Sequence, residues 1–187
     1  MDVLKAIETR RAYRSLKETE IDDGLVKDLA RSASLSASCF NKQPWRFVFV
    51  RKSEKLDSIF GALPETNRWI RKASMIVAVA SEKSLDCVVG SREYFLFDTG
   101  MATASMILRA TELGLVAHPI AGFSDEEVKK ILGIPEEMTL ITLVVFGKKD
   151  EMINELLTEK QRDIERQRPE RLPFEGYAFL DEYGNSL

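Results

Sequence analysis

The 187 residues, 44% hydrophobic and 30% charged, suffice for one domain with a substantial core. A net charge of -3 leaves no electrostatic footprint for nucleic acid or an anionic membrane. No apolar run approaches the roughly 20 residues of a spanning helix, and the acids inside the opening Met-Asp-Val-Leu-Lys-Ala-Ile-Glu argue against a signal peptide.

In chain order, Val3, Leu4 and Ile7 mark a short amphipathic helix. It runs into Thr9-Arg-Arg-Ala-Tyr-Arg14, three arginines in five residues with no acid between them. Exposed arginines are usually solvated. The same cluster also suits an anion clamp, because guanidinium forks fit phosphate bidentately. Ile21, Leu25, Val26, Leu29, Ala30 and Ala33 repeat at helical spacing behind Asp22, an expected N-cap. This helix is expected to end near Ser34 to Ser36.

The next stretch, Ser36-Ala-Ser-Cys-Phe-Asn-Lys-Gln-Pro-Trp-Arg-Phe47, crowds hydroxyl, thiol and amide groups into a short connection with little charge. It suits a flat, neutral, polar ligand edge, although Ser and Asn are common at turns for local reasons. Arg46 to Val50 is expected as a short buried strand, Ser53 to Phe60 as a helix, and Gly61 to Asn67 as a loop around Pro64. Met75 to Ala80 is a wholly apolar run of strand length, which places it in the centre of a sheet. Asn67, Arg68 and Arg71 precede it.

Arg92 to Leu113 is the longest helical pattern and is apolar around almost its whole circumference. A helix apolar all round is buried on all sides, so burial against a second copy of the chain is expected. Leu115 to Phe123 begins as a strand and is expected to break at Pro119 and Gly122. Ser124 and Glu127 have capping-box spacing for a helix through Leu132, closed by Gly133. Leu140 to Phe146 is a second central strand. His118 is the one histidine; beside a proline, its plainer role is structural.

Residues 150–172 are strongly charged over a thin apolar stripe, and Phe174, Tyr177, Phe179 and Tyr183 follow. Such a tail has too little core to fold alone, so residues 150–187 are expected to form an arm packing on the body or on a partner subunit. Arg166, Arg168 and Arg171 could add cations to the N-terminal group. Cys39 and Cys87 are too few for a disulfide framework or a zinc site, so no metal is expected, and a reducing cytoplasm is the expected compartment. The sequence contains no repeats, no GxGxxG after a strand, no P-loop and no HExxH.

Three motifs in order give the chain a family resemblance. Ile7-Glu-Thr-Arg-Arg-Ala-Tyr-Arg14 is similar to the opening Arg-Arg-Ser-x-Arg of the nitroreductase-like FMN oxidoreductases. Residues 36–47 are similar to their Ala-Pro-Ser-Ser-x-Asn-x-Gln-Pro-Trp element, and Leu113-Gly-Leu-Val-Ala-His-Pro-Ile-Ala-Gly-Phe123 to their Leu-Gly-Leu turn ending in Gly-Phe. The resemblance implies an α+β fold with a central, mostly antiparallel sheet flanked by helices. It also implies a single nitroreductase-like domain over 1–187 and an intertwined homodimer with FMN in each of two interface clefts. By motif, Arg10 and Arg14 would hold the phosphate and the pyrimidine side of the flavin, and Arg11 would contribute by backbone or to the phosphate. Ser38, Cys39 and Asn41 would line the flavin from the partner subunit, with Gln43 at its pyrimidine edge. Asn67 would match a flavin asparagine, Pro119, Ile120, Ala121 and Gly122 would supply backbone near the reactive face, and Arg171 would be a second phosphate arginine.

Departures from the motifs are Ala12 and Cys39 in place of serines, Ala37 in place of proline, and Ala121 where relatives carry Glu or Gly. The loss of one hydroxyl contact is worth ~1 kcal/mol, so weakened but surviving FMN binding is expected. No side chain need be an obligatory acid or base. The implied activity passes electrons by ping-pong from NAD(P)H to a small oxidised acceptor such as a nitroaromatic or quinone. The rivals are a specialised flavin enzyme for reductive dehalogenation or flavin fragmentation, a non-catalytic FMN-binding protein, and a cysteine enzyme pairing Cys39 with His118.

Overall fold

The computed structural model describes residues 1–51 and 54–187. The elements in order are α1 (Val3–Thr9), β1 (Leu16–Lys17), α2 (Asp23–Ser34), β2 (Arg46–Arg51), α3 (Glu54–Gly61), β3 (Met75–Ser81), β4 (Val88–Val89) and β5 (Arg92–Glu93). They continue with α4 (Phe95–Glu112), β6 (Val116–Ile120), α5 (Asp125–Leu132), β7 (Thr139–Lys149) and α6 (Glu159–Arg166). Short 3₁₀ turns cover Cys39–Asn41, Glu65–Lys72, Lys83–Leu85 and Phe174–Gly176.

Two apolar runs build the sheet. Every residue of β3 is buried, as an unbroken apolar strand covered on both faces must be. Its alternation splits the core in two: Met75, Val77 and Val79 pack on one side, and Ile76, Ala78 and Ala80 on the other. β7 runs antiparallel to β3 and carries β6 along its opposite edge; β1 pairs with its end at Lys148 and Lys149. β2 pairs antiparallel with the outer side of β3. Helices α2 and α4 cover one face through Leu29, Ala33, Ala102, Met106 and Ala110. Helix α3, α5 and the turn at Glu65–Lys72 cover the other through Leu56, Ile59, Trp69, Ile70 and Val128. The result is an α+β architecture with an antiparallel central sheet flanked by helices.

Several local expectations change. β2 is an edge strand, mostly half-buried, because nothing pairs with its outer side among the described residues. The expected helix from Ser53 is α3; Ser53 itself lies outside the described residues. The expected loop to Asn67 is in part a 3₁₀ turn, with Pro64 as its extended N-cap. The long helical pattern starts at Phe95, because Arg92 and Glu93 pair with Val88 and Val89 in a small hairpin. Pro119 does not break β6. It sits within the strand, tolerated because β6 pairs on one side only. Asp22 caps α2 as expected by accepting from the Leu25 N–H. At α5, Ser124 accepts from the Glu127 N–H, which is one half of a capping box, and Gly133 closes the helix in the left-handed conformation.

Helix α4 is not buried all round within one chain. Asp98, Thr99, Ala102, Thr103, Met106 and Ala110 face inward, while Leu96 and Phe97 are exposed. The tail is equally incomplete: Leu157 is buried, but Met152, Leu172, Phe174, Tyr177 and Tyr183 are exposed. Among the described residues its aromatic rings pair with each other, Phe174 on Tyr177 and Phe179 on Tyr183. None of the described helices is long and apolar enough to cross a membrane.

Candidate functional site

The two ends of the chain meet at residues 10–15. After α1 the chain is extended and cannot satisfy its own backbone, so other segments supply partners. Glu165, near the end of α6 and 7% exposed, accepts from the Arg14 and Ser15 N–H groups at 3.0 and 2.8 Å. Arg11 donates to the Ile164 and Glu165 carbonyls at 2.7 and 3.2 Å and lies over the Tyr13 ring. Arg168 donates to the Glu8 and Arg10 carbonyls at 2.6 and 2.7 Å, satisfying groups left open where α1 ends. Lys149 covers the same Tyr13 ring.

This anchoring leaves a cavity of about 200 Å³ lined by Arg10, Arg11, Ala12, Arg14, Arg168 and Arg171, among others. Among the described residues, Arg10, Arg14 and Arg171 form no ion pair with an acid. Burial, then the charges of Arg168 and Arg171, push Arg10 below its ordinary value. Arg14 is pushed down by burial and partly restored by Glu165. Like charges held together with one carboxylate nearby, and that one bonded to backbone N–H groups, form a site suited to an anion. Two of the lining arginines spend guanidinium N–H groups on backbone carbonyls, Arg11 on α6 and Arg168 at the end of α1, which leaves Arg11 the backbone part of its expected role.

The cluster is continuous with the sheet edge. Arg14 lies 5.8 Å from the Trp69 ring centre, and Trp69 stacks on His118 at 4.8 Å. His118 is buried and its Nδ1 lies 3.0 Å from the Tyr13 carbonyl, which can only accept, so Nδ1 carries the proton. Burial, with Arg14 and Arg10 nearby, pushes the imidazole down to about 4, against support from the Tyr13 carbonyl and Glu165. His118 is thus a neutral brace under the arginine segment. Two residues before Trp69 and four after His118, the same edge reaches the third group: Asn67 donates to the Gly122 carbonyl at 2.8 Å. A Cβ on Gly122 would lie 3.0 Å from the Asn67 amide, so the approach requires glycine. Ala121, Gly122 and Phe123 line a further hollow with Pro64. Ile120 is buried at the end of β6, and Pro119 is exposed.

The polar loop lies elsewhere, between α2 and α4. Ser38 Oγ accepts from the Gln43 N–H at 3.0 Å, and the Gln43 amide donates to the Asn41 carbonyl and side-chain oxygen. Buried Asp98 on α4 accepts from the Cys39 N–H at 2.6 Å. Phe40, Asn41 and Gln43 all have positive φ, an arrangement unusual for a bulky residue such as Phe40. Phe40 is 89% exposed. Cys39 and Cys87 are joined in a disulfide, where no bond was expected from two cysteines. That bond also separates Cys39 from His118, which turns to Tyr13, so the cysteine–histidine rival has no contact to act through. Among the described contacts, none joins this loop to the arginine cluster.

A separate cavity of about 680 Å³ runs past Thr19, Phe49 and Arg51, and none of the sequence-predicted site residues lines it.

Comparison with known proteins gives this arrangement its context. The sequence model of the nitroreductase family matches residues 7–148. The chain belongs to the nitroreductase family. A Methanothermobacter thermautotrophicus protein provisionally named NADH dehydrogenase/NAD(P)H nitroreductase is 28% identical over 155 residues, covering 79% of this chain and 77% of that protein. A Thermus thermophilus protein named NADH dehydrogenase is 24% identical over 182 residues, covering 79% and 86%. Among solved structures, one described as an oxidoreductase containing FMN superposes with a TM-score of 0.84 at 23% identity, covering 100% of this chain and 94% of that one. A Clostridium novyi nitroreductase family protein gives 0.75 at 21% identity, covering 100% and 97%. These likenesses establish the fold.

Sequence reasoning missed Glu165, Asp98 and the buried Trp69–His118 pair, and it named Arg168 only as an extra cation. No local pattern marks them; each acts on a residue more than 45 positions away.

Proposed function

We propose that the chain is an FMN-dependent oxidoreductase that takes electrons from NAD(P)H and passes them, by ping-pong, to a small oxidised acceptor such as a nitroaromatic or quinone. The observation that carries this is the cavity of about 200 Å³ in which Arg10, Arg14, Arg168 and Arg171 converge from opposite ends of the chain. The donor set fits a phosphomonoester: several guanidinium forks on one cavity, with the nearby Glu165 carboxylate turned to the Arg14 and Ser15 backbone rather than to the guanidiniums.

Arg10 and Arg171 would hold the phosphate, with Arg168 holding the backbone beneath them, and Arg14, half-buried beside Trp69, would stabilise negative charge on the pyrimidine edge. Asn67 with the Pro119–Gly122 backbone would offer hydrogen-bonding groups along the next part of the same edge. When bound, FMN would supply two-electron redox chemistry between the nicotinamide and the acceptor. Ser38, Cys39, Asn41 and Gln43 do not reach this cavity within one chain, and the bare faces of α4 and the tail need cover. Both facts support a homodimer in which the polar loop of one copy closes the site of the other and residues 150–187 form an arm across it. Dependence on NAD(P)H favours the cytoplasm.

The test is spectroscopic. Purified protein is expected to be yellow, or to become so with added FMN, and to bleach anaerobically with NADH or NADPH and recover with a quinone. A bound flavin that stays oxidised with both nicotinamides would contradict the activity. Failure to take up FMN would contradict the cofactor.

A further inference from the structure

The Cys39–Cys87 bond joins the polar loop to the segment before β4, across 48 residues. Its two sulfurs have unequal surroundings: Cys39 is half-buried and Cys87 is 8% exposed. A carboxylate oxygen of Asp86 and both sulfurs lie within 4.8 Å of one another. Asp86 is 5% exposed. Its Oδ1 accepts from the Cys87 N–H at 2.7 Å, while its Oδ2 is buried and meets no N–H or O–H donor among the described residues; the carboxyl that shares a proton with Asp86 is Asp98. A naked carboxylate oxygen is costly in such a place. A carboxylic O–H removes that cost and is a proton held beside a disulfide.

We propose that Cys39 and Cys87 form an exchangeable dithiol–disulfide centre, opened by a low-molecular-weight thiol whose thiolate attacks Cys39 Sγ while Asp86 hands its proton to the departing Cys87 Sγ. Access selects Cys39 as the attacked sulfur, and leaving-group protonation selects Cys87 as the one released. In the first step the bond between the external sulfur and Cys39 Sγ forms, the Cys39–Cys87 bond breaks, and its electron pair stays on Cys87 Sγ with the Asp86 proton. In the second step another thiolate takes the external sulfur, and Cys39 collects a proton from water. Two thiols become one disulfide, the protein disulfide becomes two thiols, and Asp86 is reprotonated from water. The exchange itself requires no flavin, but Cys39 lies in the loop proposed to close a partner's site, so the rates are read with and without added FMN, and opening without FMN tests the exchange apart from the flavin reading.

Burial pushes the Asp86 carboxyl up first; Asp98 adds to this by charge and hydrogen bond, while the Cys87 N–H and the charge of Lys42 oppose it. Asp98 is also the group that holds the Cys39 N–H. A carboxyl raised in the folded state is protonated at pH values where an ordinary aspartate is not, and it loses that proton as pH climbs.

The test uses the full chain, folded, in buffers of reduced and oxidised glutathione, quenched by alkylation and read by intact mass. Both cysteines are expected to label together across a window of glutathione ratios without denaturant. Cys87→Ser is expected to capture glutathione on Cys39, and Cys39→Ser to leave Cys87 unmodified. With wild-type protein, the opening rate divided by thiolate concentration is expected to fall as pH rises through the Asp86 titration. Asp86→Asn is expected to flatten that profile and slow opening by about tenfold or more, whereas Asp98→Asn keeps the fall. A pair that stays fully bonded or fully reduced at every ratio, or an adduct on Cys87, overturns the centre. A flat wild-type profile overturns the part given to Asp86 even if its variant does not fold.

Discussion

The arginine cavity and the polar loop belong to one chain yet are built in opposite ways. The cavity wall is built within one chain: the backbone of residues 10–15 is held by α6, by Arg168 and by His118, which sets Arg10 and Arg14 beside Arg168. The loop is tied to α4 and its neighbours by a disulfide, the Asp98 carboxylate and the Ser105 and Ser81 hydroxyls, keeps three non-glycine residues at positive φ, and exposes Phe40. The contrast teaches that charge must be preassembled before a ligand arrives, because bringing unneutralised cations together is costly. Neutral hydrogen-bonding groups can be delivered from a neighbour, since leaving them in water costs little.

Removing the keystone of the cavity is the harshest way to break the comparison. Glu165→Ala leaves the buried Arg14 and Ser15 N–H groups without an acceptor and is expected to cost about 4 kcal/mol of stability, measured by urea unfolding. An equivalent change in the loop, Ser38→Ala, removes one partly exposed acceptor and is expected to cost about 1 kcal/mol. Equal losses would erase the distinction.

The brace under the cavity sets a pH signature. His118 falls to about 4 in the folded chain from an ordinary 6.5. The unfolded chain therefore binds a proton that the folded chain refuses between those values. Stability supported by neutral His118 is intact above about 6.5, is lost as pH falls toward 4, and levels below it. At roughly 1.4 kcal/mol per unit the full effect is about 3 kcal/mol. His118→Asn, which keeps a donor for the Tyr13 carbonyl, is expected to lose this slope in parallel unfolding curves.

Single cavity cations should act on ligand rather than fold. Arg10→Ala is expected to weaken FMN binding by about 2 kcal/mol, roughly thirtyfold, with unfolding nearly unchanged, as read by flavin fluorescence titration. Arg11→Ala should do the reverse, because its guanidinium holds α6 rather than facing the ligand. Smallest of all, Gly122→Ala crowds the Asn67 amide at 3.0 Å and is expected to reduce FMN affinity by about 1 kcal/mol.

Much of this was legible beforehand, and the reasons are physical. The apolar runs at 75–80 and 140–146 placed the central strands, because a strand buried on both faces leaves no other pattern. The arginine run stood out by composition, whereas the Asn-x-Gln-Pro-Trp element pointed to a site only through the family resemblance. Glu165 was invisible because one acid in a charged helix looks like any other; only its pairing 150 residues away sets it apart. The break predicted at Pro119 failed because a one-sided strand spares the missing N–H. The Cys39–Cys87 bond escaped notice because two cysteines carry no spacing signal.

The most direct test compares FMN with riboflavin, which differ only in the phosphate. If the arginine cavity is the anchor, FMN binds with one molecule per chain and riboflavin binds at least about a hundredfold more weakly, the size expected of charge-assisted phosphate contacts. The gap should shrink in Arg10→Ala and Arg171→Ala. Equal affinity for the two flavins would contradict the account.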